Sequence, residues 1–171
     1  AHLVQQTLNK VTVECIQIDD FPGMQKFIGI GQVVGQRPET IYLLWQQRQC
    51  VTDEMMSYGN RCWQAFTQPD PTQLWHLVQA PNVVCETMRN AYVRSLMELP
   101  WVTNGLSLTE YLSVEILSNE GPMRPGAIFS LLMSESEPLP YLGDIMLATI
   151  LQNLCSGEHP AIDVMEHYPR E

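Results

Sequence analysis

Three runs near the start of the chain decide the reading of the fold: Val11–Ile18 (VTVECIQI), Phe27–Val34 (FIGIGQVV) and Thr40–Trp45 (TIYLLW). Each has strand length, and β-branched or aromatic residues recur in them. The breaks between them are turn signals. Asp19-Asp20-Phe21-Pro22-Gly23 pairs a proline of fixed φ with a permissive glycine, and Gly35-Gln36-Arg37-Pro38 combines the same two residue types. This pattern predicts a three-stranded antiparallel meander. His2–Asn9 ahead of it fits a short helix with Leu3, Val4 and Leu8 on its apolar side.

Working outward, the middle of the chain reads as helices. Thr52 is placed as an N-cap, with Asp53 and Glu54 in the first turn and Met55, Tyr58, Cys62 and Phe66 following at helical spacing. Gly59-Asn60 predicts a weak point or kink. Asp70-Pro71 reads as N-cap then first helical residue, opening a short helix that Pro81 stops. Asn82 fits a cap for the next, where Val84, Met88, Ala91, Tyr92 and Leu96 share a stripe that Pro100 ends. Ser107-Leu108-Thr109-Glu110 has the pattern of a capping box, and Gly121-Pro122 closes that helix.

The last third returns to mixed structure. Ala127–Met133 (AIFSLLM) is an apolar run of strand length, Ser134–Pro140 (SESEPLP) an exposed linker, and Tyr141–Cys155 a helix apolar on most sides, with Gly157 as its C-terminal glycine. The expectation is an α+β fold: an N-terminal three-stranded antiparallel meander packed by several helices, with a later strand and a buried C-terminal helix. Residues 1–171 read as a single domain, and 157–171 as a loosely ordered tail.

Charge is distributed unevenly. The net charge is −10. Residues 95–171 hold eleven carboxylates and two bases, so −9 falls there, whereas the residues before them are near neutral. Such a field repels phosphate backbones and attracts basic surfaces, which argues against nucleic acid as a partner. Apolar segments interrupt the acids, so this part reads as folded core with an acidic exterior, not as a disordered tail. Only 16% of residues are charged, below the usual roughly 25%, and thirteen glutamines in the first 79 positions supply a neutral polar surface instead.

No apolar run reaches the roughly 18 residues of a membrane helix, so membrane insertion is not expected. The chain opens on Ala1 with no basic-then-apolar leader. That start fits methionine removal, processing or excision from a longer chain. Cys15, Cys50, Cys62, Cys85 and Cys155 are odd in number, lack a C-x-x-C pair and sit among apolar neighbours. They read as free buried thiols of an intracellular, reducing compartment.

Motifs for chemistry are sparse. Gly29, Gly31 and Gly35 lie in a strand-like segment and miss the dinucleotide spacing. His159, Asp163 and His167 would share one helical face if Pro160 opened a helix, a spacing that suits zinc; a short polar tail is the simpler reading, so no metal or cofactor is expected. The pairs Cys62 with His76 and Cys155 with His159 are the candidates for a nucleophile beside a base, without a surrounding signature.

The resulting expectation is a non-enzymatic protein–protein interaction module: an adaptor, chaperone-like or assembly subunit favouring basic partner surfaces, with a homo-oligomer possible through sheet edges. In size and charge, though in no motif, the chain resembles small acidic secretion chaperones and adaptor domains. Trp75, Glu115, Glu120, Glu135 and Glu137 are the partner-binding candidates, Trp75 because His76 and Gln73 beside it suggest a partly wet helix. The alternative is a small enzyme or ligand- or metal-binding domain using His, Cys and carboxylate groups in a sheet–helix pocket.

Overall fold

The computed structural model describes residues 11–17, 38–81 and 84–165. The chain divides into two compact units, Ala1–Leu96 and Met97–Glu171. The charge break read from the sequence falls at that same boundary, because Ser95 and Leu96 are uncharged.

The described residues of the first unit are mainly helical and form no three-stranded meander. The strands among them are two-residue pieces, β1 (Glu14–Cys15) and β2 (Gln49–Cys50), paired antiparallel with Glu14 opposite Cys50 and Cys15 opposite Gln49. The third expected strand, Thr40–Trp45, lies inside helix α1 (Pro38–Gln46). Pro38, read above as the end of a turn, is the first helical residue, where its fixed φ suits a helix and its missing N–H costs nothing. The run Phe27–Val34, the two turn signals before Pro38, and the helix expected at His2–Asn9 lie outside the described residues.

α2 (Asp53–Phe66) starts where expected, with the Thr52 hydroxyl accepting the Met55 N–H at 3.1 Å. It runs through Gly59 without a break; a Cβ there would sit 3.6 Å from Met88 Cε of α4 (Glu86–Leu96), at ordinary contact distance. α3 (Thr72–Gln79) begins after Pro71, and the Asp70 carboxylate one residue earlier accepts the Thr72 N–H at 2.9 Å. The Thr72 side chain and, after it, the Thr72 N–H hold Asp70 below the usual carboxylate range. Arg89 on α4 donates from Nε to the Val78 carbonyl at 2.7 Å, placing a cation at the carbonyl end of α3. Tyr58, Cys62, Ala65, Leu74 and Val78 form the core, with Met88, Tyr92, Val93 and Leu96 packed against it.

The second unit contains α5 (Leu108–Glu120), α6 (Pro125–Leu131) and α7 (Asp144–Leu154). The capping box is present in full: Ser107 Oγ accepts the Glu110 N–H at 3.3 Å and Glu110 Oε2 accepts the Ser107 N–H at 2.8 Å. Gly121, at φ 83°, ends α5 in a conformation that favours glycine. The expected strand Ala127–Met133 is instead α6 and the π-helical turn Leu132–Ser136 that continues it, with Glu137 N–H donating to Leu132 O at 2.8 Å. Pro125 again occupies the first turn. α7 is shorter than expected and buried on one side only: Leu147, Leu151 and Leu154 face the core, whereas Ile145 is 80% exposed. The core joins Ile116, Ile128, Leu132, Met133 and Leu142 to those three leucines.

Candidate functional site

In the first unit the antiparallel ribbon faces the start of α4 across a cleft of about 590 Å³. Cys15, Gln17, Gln47 and Gln49 line it from the ribbon side, Met55 from α2, and Val84, Cys85, Glu86 and Thr87 from the start of α4. Side chains two apart on an extended chain share a side, which accounts for Cys15 with Gln17; on the partner segment the cleft is lined by Gln47, in the turn after α1, and by Gln49, in β2. Arg48, between the latter two, turns away: its Nε donates to Glu14 Oε2 at 3.0 Å and its guanidinium sits 4.8 Å from the Trp45 ring centre. The cleft wall is thus mostly carboxamides and thiols. The Cys85 thiol donates to Gln17 Oε1 at 3.2 Å.

The cysteines correct the expectation of buried thiols. All five are free, but only Cys62 is buried; Cys85 and Cys155 are half-buried and Cys15 and Cys50 exposed. Burial pushes the Cys62 thiol up, away from the reactive thiolate. It also pushes Tyr58 up to about 12, with the neighbouring Cys62 thiol adding to the effect. His76 is exposed on α3, so the pairing with Cys62 sets an exposed base against a fully buried thiol.

The second unit carries the acidic surface. Glu115, Glu120, Glu135, Asp144, Glu158 and Asp163 are exposed, and Arg124 is the exposed arginine among the described residues of this unit. Three other carboxylates serve the fold. Glu110 caps α5, Glu98 accepts the Thr109 hydroxyl at 2.6 Å, and Glu137 is 2% exposed with its carboxylate accepting the Leu139 N–H at 3.0 Å. Glu137, expected on an exposed linker, is therefore turned inward by the π-helical turn that precedes it. Glu115 accepts the Tyr111 hydroxyl at 3.1 Å, and this bond raises Tyr111 above its usual range. Trp75, the remaining candidate, is 49% exposed on α3, in the first unit.

The expected histidine–aspartate constellation falls only partly within the described residues, which end at Met165. Among the described residues no helix follows Pro160; Ala161 and Ile162 N–H groups bond back to Leu154 O, and His159 and Asp163 are exposed. His167 and the glycines 29, 31 and 35 lie outside the described residues. Among the described residues no three His, Cys, Asp or Glu groups gather closely enough to hold a metal ion. No helix among them is long and apolar enough to cross a membrane.

Comparison with protein-family models, with curated proteins and with solved structures finds no match.

Proposed function

We propose that the protein is a non-enzymatic protein-interaction module, an adaptor, chaperone-like or assembly subunit, whose second unit receives a basic surface of a protein partner. One observation carries the reading: after three carboxylates of that unit are spent on the fold, six remain exposed against one exposed arginine among its described residues. Such a surface steers a basic partner and repels phosphate backbones. Tyr141, Ile145 and Met146 are exposed on either side of Asp144 in sequence and supply apolar contact area beside the charge. Five free thiols suit a reducing, intracellular compartment.

The test is charge reversal read against a lysine-rich amphipathic peptide as probe. Glu120→Lys with Glu135→Lys should weaken binding several-fold, while Glu39→Lys with Glu54→Lys in the near-neutral unit should leave it unchanged. Equal effects of the two pairs would sink the proposal. A second reading, a ligand-binding domain, is favoured by the cleft of the first unit, whose residues are uncharged apart from Glu86.

A further inference from the structure

Cys15 and Cys85 are 70 positions apart in sequence, yet both line the cleft of the first unit. The Cys85 thiol donates to Gln17 Oε1, at 3.2 Å, which ties the chain just before α4 to residue 17. Gln17 follows Cys15 by two residues and lines the cleft with it, so the Cys85 sulfur meets the ribbon on the side that carries Cys15. The register separates the other nearby thiol. Cys15 stands opposite Gln49, which lines the cleft; Cys50 stands opposite Glu14, and neither of those two does. Cys62 is fully buried in the helical core, out of reach of a soluble oxidant. Cys15 is exposed and Cys85 half-buried, so neither thiol is shut off from solvent as Cys62 is.

We propose that Cys15 and Cys85 are a redox pair, converted by a small-molecule disulfide such as oxidised glutathione into an intramolecular disulfide that ties the ribbon to the start of α4 and closes the cleft. The exchange proceeds in two steps. The Cys15 thiolate attacks one sulfur of the small disulfide, whose S–S bond breaks and releases one small thiolate, leaving a mixed disulfide on Cys15. The Cys85 thiolate then attacks the Cys15 sulfur; the mixed S–S bond breaks, the protein S–S bond forms and the second small thiolate leaves. The two protons lost by the cysteines reside on the two released thiols. The protein is oxidised by two electrons and the small disulfide reduced by two. A cleft of about 590 Å³ accommodates a tripeptide-sized thiol during the first step. The Cys85–Gln17 hydrogen bond is given up when the bridge forms.

The experiment uses the full chain treated with excess oxidised glutathione, blocked with an alkylating agent and digested without reduction for mass spectrometry. The expected product is a pair of peptides joined through residues 15 and 85, restored to separate peptides by dithiothreitol. Cys15→Ser and Cys85→Ser each abolish it, the second leaving glutathione on Cys15; Cys50→Ser and Cys62→Ser preserve it. Oxidation raises the urea midpoint of the wild type and not of Cys15→Ser, since the bridge restricts a long loop of the unfolded chain. A bridge from Cys15 to Cys50, a bridge between two chains, or glutathione on both Cys15 and Cys85 without a bridge overturns the proposal.

Discussion

Replacing Leu132 by alanine should destabilise the second unit by about 3–4 kcal/mol. Leu132 is fully buried at the junction of α6 and the π-helical turn, in the cluster that holds Ile128, Leu147 and Leu151. The substitution removes three carbons, which at roughly 0.8 kcal/mol per buried methylene amounts to about 2.4 kcal/mol. A residual cavity of roughly 50 Å³ adds about 1.2 kcal/mol at ~24 cal/mol per Å³. With a urea slope near about 2 kcal/mol/M, the unfolding midpoint followed by helical circular dichroism falls by close to 2 M at unchanged slope. Ser130→Asp is the companion variant. A helix directs residue 130 away from 128 and 132, and Ser130 is exposed, so the cost should stay within about 0.5 kcal/mol. A strand would put 128, 130 and 132 on one side. A cost below about 1 kcal/mol for Leu132→Ala, or an equal cost for Ser130→Asp, would refute the helical packing of this segment.

Three further outcomes are expected. Ser107→Ala removes the hydroxyl half of the capping box and should cost about 1 kcal/mol in urea unfolding, with Ser107→Asp largely restoring it. Gly59→Ala should stabilise by roughly 0.5–1 kcal/mol, because the helix interior disfavours glycine and the new methyl meets Met88 at ordinary contact distance. Tyr58→Phe removes a buried hydroxyl whose neighbour is the Cys62 thiol, at best a weak hydrogen-bond partner, so stability near neutral pH should change by less than about 1 kcal/mol. The pH dependence of the wild type has a definite sign there. The folded value of about 12 lies above the ordinary 10, so the unfolded chain loses its proton first. Stability due to this group therefore falls as pH rises above 10, and Tyr58→Phe should flatten that slope.

What the sequence revealed and what it hid divide along physical lines. Thr52, Ser107 with Glu110, and Gly121 mark their helix ends correctly because capping is a local hydrogen-bond problem, solved within four residues. The two runs misread as strands share another feature. Thr40–Trp45 and Ala127–Met133 each begin two residues after a proline that opens a helix, Pro38 and Pro125. A short apolar run does not distinguish strand from buried helix by periodicity, and the proline was the stronger signal. Glu137 was legible as a charge but not as a buried one, because its burial depends on a π-helical turn that no local pattern announced. The shared cleft of Cys15 and Cys85 depends on how the ribbon packs near α4. The alternation in VTVECIQI could place Cys15 beside Gln17, yet nothing within the run pointed to residue 85. The asymmetry of charge was legible in full and coincides with the boundary between the units.

The acidic surface is the central claim, and salt is its most direct probe. Binding of the lysine-rich amphipathic peptide should be measured by titration calorimetry from about 0.05 to about 0.5 M salt, a range over which the screening length falls below the span of a docking surface. The account predicts that affinity drops steadily across the range and that the Glu120→Lys, Glu135→Lys variant shows a shallower dependence. An affinity that stays constant with salt, or a variant with the wild-type slope, would contradict it.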